Sequence, residues 1–330
     1  VYKRQIYYHI QINFKKKRDF KMINNKNEKV SITIVNGFLG SGKTTFLKHY
    51  IEQLLKKDEK ITIIMNEFGS FDVDSLLLGN DVSIHSLING CVCCDLNNDL
   101  VNQLKQLIDQ TDTSHILIEA TGLAHPFEIY SACQDPTIIK NVHEPTIIGI
   151  VDAQRFTKKE VYSPSTTQLL EEQLRYSDTI ILNKTDLIGE EALNEVKENL
   201  NKLNPQAPII ITTYSQFNDE QINGKVIQHN EIQHKHIHHH GIQSMQYTFT
   251  AAIDRQLFYQ FIMRLPDSVL RLKGFVKFRD LPEVTYEFQY AMGLPDYGII
   301  YKDVPMTIVI IGESLDTDRL RNQLDMIQFT

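Results

Sequence analysis

Val30 to Lys57 reads VSITIVNGFLGSGKTTFLKHYIEQLLKK, and three segments of different character follow one another within it. Val30 to Val35 is a β-branched apolar run, Gly37 to Thr44 is a glycine-rich loop, and Thr45 to Lys57 carries apolar residues at helical spacing. The loop, GFLGSGKT, fits the pattern G-x-x-x-x-G-K-S/T in the strand, loop, helix context that this pattern requires. Gly40 and Gly42 let successive backbone N–H groups wrap phosphate, Lys43 neutralises the β/γ charge, Thr44 can ligate Mg²⁺, and the helix N-terminus adds its dipole. With Gly37, Ser41 and Thr45 these residues make up the expected phosphate-binding set.

Outward from this loop, further apolar strand patterns occur at Ile61 to Met65, His115 to Ile118, Thr146 to Val151, Thr179 to Leu182 and Pro208 to Ile211. Helical patterns alternate with most of them, at Asn98 to Ile108, Ser165 to Arg175 and Glu190 to Leu203. Such alternation predicts an α/β P-loop NTPase fold, a mostly parallel sheet covered by helices on both faces. Past residue 215 a polar stretch ends in HKHIHHHG, and patterning resumes at Ile242. The remainder reads strand (Gln243 to Phe249), helix (Arg255 to Leu265), strands (Leu270 to Phe278, Glu283 to Tyr290, Thr307 to Ile311) and helix (Thr317 to Met326), a smaller α+β domain. The expected organisation is an extension over 1–29, a nucleotide-binding domain over 30–214, a His-rich linker over 215–241 and the α+β domain over 242–330.

Length and composition agree with two domains: 330 residues, 42% apolar and 23% charged, is an ordinary globular chain able to bury a core. Nothing approaches the ~18 uncharged apolar residues of a membrane span, and Ile6 to Phe14 is too broken by polar residues for a secretory signal. A cytoplasmic location, with no membrane partner, is expected. Of 34 Lys+Arg and 41 Asp+Glu, residues 1 to 30 hold nine and two, which leaves the body with 25 and 39 and a formal charge of −14. An acidic body argues against nucleic acid, which needs a clustered basic surface. Met22 precedes a polar stretch, so residues 1–21 are read as disordered or non-native sequence; the rival reading is a basic arm that touches anionic lipid or a partner.

Asn183-Lys184-Thr185-Asp186 follows the strand that ends at Leu182. A carboxylate there can accept both the N1–H and the 2-amino group of guanine, neither of which adenine offers, so GTP is preferred over ATP. In IEATGLAHP, Ile118 to Pro126, Glu119 ends a strand and can hold a Mg²⁺-bound water. Gly122 can present its N–H to the γ-phosphate, closing the loop only with GTP bound. Cys91, Cys93 and Cys94 follow Asn89-Gly90 on a turn, and three thiolates in a reducing compartment suit Zn²⁺, with Co²⁺ or Cu(I) as alternatives. Tetrahedral coordination leaves a fourth place open, as a delivering site needs; a redox pair is the alternative. His234, His236, His238 and His240 fall on one face of an extended strand and form a weak accessory metal site, or else a solvated loop.

The combination of GFLGSGKTT, MNEFG, NGCVCC, EATGLAHP and NKTD with a His-rich linker and a C-terminal domain closely resembles the CobW-type metal-chaperone GTPases. The resemblance runs from about residue 31 to the end of the chain. It implies slow GTP hydrolysis coupled to binding and release of Zn²⁺ or a related ion, with Cys91, Cys93 and Cys94 as metal cysteines and a client metalloprotein as partner. It also implies that Glu67 and Asp74 lie on a switch segment near the Mg²⁺ or the metal, Glu67 as one of the catalytic group with Lys43, Glu119 and Gly122. Asp72 and His125 stand where many members have Gly and Asp, and His125 is a candidate extra ligand. A homodimer is one assembly the resemblance allows. Two other functions fit the same residues: a non-catalytic metal buffer, and a P-loop kinase of a small substrate, which Asn183 and Asp186 disfavour.

Overall fold

The computed structural model describes residues 29–65, 82–86, 96–120, 122, 125–217, 242–291, 293–301 and 304–330. Its first part alternates strands and helices: β1 (Ser31–Asn36), α1 (Lys43–Leu55), β2 (Ile61–Met65), β3 (Val82–Ser86), α2 (Leu96–Gln110), β4 (His115–Glu119), α3 (Pro126–Cys133), β5 (Thr146–Asp152), α4 (Ala153–Phe156), α5 (Pro164–Arg175), β6 (Thr179–Asn183), α6 (Glu190–Leu203) and β7 (Ile209–Ile211). The strands form one seven-stranded sheet in the order β3-β2-β4-β1-β5-β6-β7. Every neighbouring pair in it is parallel.

Both faces of this sheet are covered, which is why its strands read as unbroken apolar runs. On β1, Ile32 and Ile34 face a cluster built with Leu100, Leu104 and Tyr130 of α2 and α3, while Val35 faces Phe46, Leu47 and Ile51 of α1. Helices α5 and α6 add Leu170, Leu174, Val196 and Leu200 against Val151, Ile180 and Leu182. Helix α5 starts sharply because Pro164 sits in its first turn and Ser163 accepts the Thr166 N–H. Since β1 is flanked by β4 on one side and β5 on the other, the loop leaving its carboxyl end opens at the topological switch point, where such sheets bind ligands.

Four elements escape the sequence reading, one of them the four-residue helix α4. Strand β3 (VSIHS) is short, half polar and on the sheet edge, so it lacks an apolar run. Helix α3 (PFEIYSAC) has eight residues, too few for its period to stand out. In the second part, β11 (LPDYGII) contains Pro and Gly, which read as loop.

That second part comprises β8 (Ile242–Thr248), α7 (Arg255–Ile262), β9 (Val269–Phe278), β10 (Leu281–Ala291), β11 (Leu294–Ile300), β12 (Thr307–Glu313) and α8 (Thr317–Phe329). Its five strands form an antiparallel sheet in the order β11-β10-β9-β12-β8. Asp254 and Asp316 cap the two helices by accepting the Leu257 and Arg319 N–H groups. Both helices pack on one face around Phe258, which meets Phe278 and Phe288. Period-two alternation along β12 then divides the strand: Ile308 and Ile310 enter this core, whereas Val309 and Ile311 join the α2/α3 cluster of the first part. No helix among the described residues is long and apolar enough to cross a membrane.

Candidate nucleotide site

The loop between β1 and α1 lies over the carboxyl edge of the parallel sheet and walls a cavity of about 670 Å³. Gly40, Gly42, Lys43, Thr44 and Thr45 line it, and so do Glu119 at the end of β4 with Gly122 beyond it, Asn183 at the end of β6 with Lys184 and Asp186 beyond it, and Tyr214 from beyond β7. Four segments distant in sequence are thus brought together, because all of them leave the same edge of adjacent or near-adjacent strands.

Glycine is demanded at two places in the loop. Gly42 has φ 108°, and a Cβ there would stand 2.4 Å from Asn183 Nδ2. Gly37 has φ 140° and would meet the Ile150 carbonyl at 2.4 Å. Side chains would therefore fill the cradle and strain the backbone. Lys43 is nearly buried and donates to the carbonyls of Gly37 (2.7 Å) and Phe38 (3.2 Å). Burial lowers its pKa, and the Glu119 carboxylate acts in the opposite sense. Ser41 Oγ is buried with no hydrogen-bond partner among the described residues. An orphaned hydroxyl, a desolvated ammonium and a side-chain-free backbone cradle suit a polyphosphate, which offers acceptors to all of them. Thr44 and Glu119 lie on the same wall and supply oxygen donors of the kind Mg²⁺ takes.

At the other end, Asn183 is mostly committed to the protein. Its Nδ2 donates to the Ser41 carbonyl (2.9 Å), while Oδ1 accepts from the Ser215 N–H (2.8 Å) and the Thr212 hydroxyl (3.3 Å). It ties the phosphate loop to the segment after β7, and Asp186 is the carboxylate left at the cavity wall. Lys184 (φ 60°), Tyr214 (φ 54°) and Ser215 (φ 53°) are left-handed non-glycine residues clustered here. Each such conformation costs on the order of 1 kcal/mol or more and tends to mark ligand sites.

Sequence reasoning missed the Thr212–Ser215 segment and the residues that brace the loop from β5. Asp152, buried at the end of β5, accepts from Lys184 Nζ (2.6 Å) and the Arg155 N–H (3.0 Å). Lys184 Nζ also donates to the Gly40 carbonyl (2.7 Å), and Arg155 Nη1 to that of Leu39. A buried Asp that ends an apolar strand and starts a short helix was the available signal.

Glu67, Asp74, Cys91, Cys93, Cys94, His234, His236, His238 and His240 lie outside the described residues. Among the described residues no group of three or more His, Cys, Asp or Glu could hold a metal ion. Cys133 is buried with its thiol pKa pushed well up by desolvation, which suits core packing and not ligation. His125 lies before α3 with Nδ1 3.3 Å from Glu172 Oε2.

Residues 31–211 match the model of the CobW/HypB/UreG nucleotide-binding domain, and residues 242–328 that of the cobalamin synthesis protein CobW C-terminal domain. The zinc chaperone YjiA of Escherichia coli is 32% identical over 196 residues, covering 57% of this chain and 59% of that protein. Zinc-regulated GTPase metalloprotein activator 1 of Schizosaccharomyces pombe is 31% identical over 219 residues, covering 63% and 52%. The chain thus spans between half and three-fifths of the length of these relatives. Among solved structures, Zn(II)-bound YjiA GTPase from E. coli aligns over 91% of this chain and 99% of its own at 22% identity, with a TM-score of 0.47.

Proposed function

The chain belongs to the CobW/HypB/UreG family of nucleotide-binding proteins, and from that premise we propose that it is a slow cytoplasmic GTPase that carries Zn²⁺, or a related ion such as Co²⁺, and hands it to a client metalloprotein under control of the GTP/GDP state. The observation that carries this reading is the convergence in one cavity of the Gly37–Thr45 loop, Glu119 with Gly122, and Asp186.

In this reading Asp186 accepts from guanine N1–H and the 2-amino group, and Asn183 and Lys184 hold the walls against which the nucleotide lies. Lys43 exchanges its two loop carbonyls for β/γ-phosphate oxygens, which remove the cost of its burial by pairing its charge. The Thr44 hydroxyl and Glu119 hold Mg²⁺, which when bound neutralises charge that develops on the phosphates. Gly122 presents its N–H at the γ-phosphate end, and Glu67 belongs to a second nucleotide-responsive segment, the one that also carries Asp74. Cys91, Cys93 and Cys94 take the transported ion, and His234, His236, His238 and His240 gather it weakly. A homodimer is compatible with this scheme. The names of the relatives, zinc chaperones and metalloprotein activators, support delivery of metal to a client.

The test is the affinity for Zn²⁺ and Co²⁺, measured by competition with a chelating dye in the presence of a GTP analogue, of GDP and of neither. A difference of about tenfold or more between nucleotide states, lost in Cys93→Ser, is expected; tenfold corresponds to about 1.4 kcal/mol of coupling. Equal affinity in all three states overturns nucleotide control, since a ligand without differential affinity shifts nothing.

A further inference from the structure

Gln173 lies in the last turn of α5 and is wholly buried. Its side-chain Nε2 donates to the Gly122 carbonyl at 3.2 Å, across 51 residues of sequence. Its own carbonyl accepts from Asn36 Nδ2 at 3.1 Å and from the Ser177 hydroxyl at 2.8 Å. Asn36 is the last residue of β1, immediately before the phosphate loop. A single turn of α5 is therefore bonded both to the strand that launches the loop and to the backbone of Gly122. Gly122 in turn sits so close to the loop that a Cβ there would stand 2.9 Å from the Leu39 nitrogen. An apolar side chain would fill the Gln173 position without the cost of burying an amide. The amide gives the Gly122 carbonyl a fixed direction.

We infer that Gln173 is a positioning residue for discrimination between the triphosphate and diphosphate states: by holding the Gly122 carbonyl it sets the backbone whose N–H meets the γ-phosphate. This rests on the reading of the cavity as a GTP site. GDP has no γ-phosphate, so loss of the anchor acts on the triphosphate state alone.

The experiment compares wild type with Gln173→Leu and Gln173→Met, the second of which keeps the length and loses the N–H donor. Fluorescent-nucleotide displacement reads the Kd for GDP and for a non-hydrolysable GTP analogue, and single-turnover assays at saturating GTP read the hydrolysis rate. Both variants are expected to bind GDP within about twofold of wild type, bind the analogue about tenfold more weakly, and hydrolyse more slowly at saturation. Equal weakening of both nucleotides, or of neither, overturns the inference and leaves the GTP site standing. Failure of the wild type itself to bind guanine nucleotides overturns both. Should Gln173→Leu not fold, Gln173→Met alone carries the same comparison.

Discussion

Two side chains show at the residue scale how position sets chemistry. Asp186 is the carboxylate at the β6 side of the cavity, as Glu119 is at the β4 side, while Asn183 spends its amide on Ser41 and Ser215. Asp186→Asn should therefore weaken GTP about a hundredfold, since one of two charge-assisted acceptor contacts becomes a donor facing a donor. The same change should improve xanthosine triphosphate, whose 2-oxo group accepts from the new amide; competition against a fluorescent guanine nucleotide reads both effects. His115 is the second case. It is buried at the start of β4, its Nε2 2.8 Å from Thr33 Oγ1, and burial pushes its pKa down to about 4, with the Lys57 charge adding. An unfolded histidine titrates near ~6.5, so the folded state binds the proton less readily than the unfolded one. The stability it contributes is complete above about pH 6.5 and is lost as pH falls toward about 4, on the order of 3 kcal/mol across that window. Urea denaturation between pH 7 and 4.5 should show this acid limb, and His115→Gln should flatten it.

Among elements, the strands of the second sheet depend on close backbone approach at Gly274. It lies opposite Ile308 of β12 and Phe288 of β10, and a Cβ would come within 2.4 Å of the Ile308 Cα and the Thr307 carbonyl. Gly274→Ala should cost about 2 kcal/mol or more by forcing β9 and β12 apart, seen as a lower Tm without loss of nucleotide binding. Helix α3 is the element whose place matters most for coupling. It begins just after the Gly122 segment and is followed at once by Gln134 and Asp135, both of which touch the second sheet. Its short length hid it from periodicity, although Pro126 at its first turn was a legible start signal. The main parallel strands were legible because burial on both faces leaves an apolar run, whereas the edge strands β3 and β11 have no such requirement.

Across the whole molecule, the two sheets are joined by a mixed interface. Val309, Ile311 and Ile242 pack into the α2/α3 cluster. Around them lie Tyr176 with Glu313 (3.2 Å), Ser244 with Gln134 (3.1 Å), Arg271 with Glu128 (3.1 Å) and Lys273 with Asp135 (2.8 Å). Asp135 is buried and Lys273, which also lies 3.6 Å from Glu287, is partly so; Asp135 Oδ1 is further held by the Thr137 N–H and hydroxyl. Lys273→Met would strand the Asp135 charge and should destabilise the protein by about 3 kcal/mol. Differential scanning calorimetry is expected to separate the unfolding of the two sheets in this variant, and Asp135→Asn added to it should recover most of the loss.

Most strands and helices, and the patterns of the phosphate loop and the Asn183–Asp186 segment, were readable from the chain alone, because each rests on local rules: apolar runs, glycine where backbone must turn or approach closely, and contiguous residues after a strand. The roles of Asp152, Arg155, Gln173 and Ser215 were not, since no spacing links them to the loop they hold. Their contacts span from 32 residues, Asp152 to Lys184 and Ser215 to Asn183, to 173 residues, Ser215 to the Gly42 carbonyl. Such bonds exist only once parallel crossovers have set β1, β4, β5, β6 and β7 side by side with their carboxyl ends aligned. The sequence by itself determined which segments carry the glycine-rich and Asn183–Asp186 patterns that line the cavity; the tertiary structure decided which polar groups hold those segments in place, because a buried amide or carboxylate finds its partner through packing and not through order along the chain.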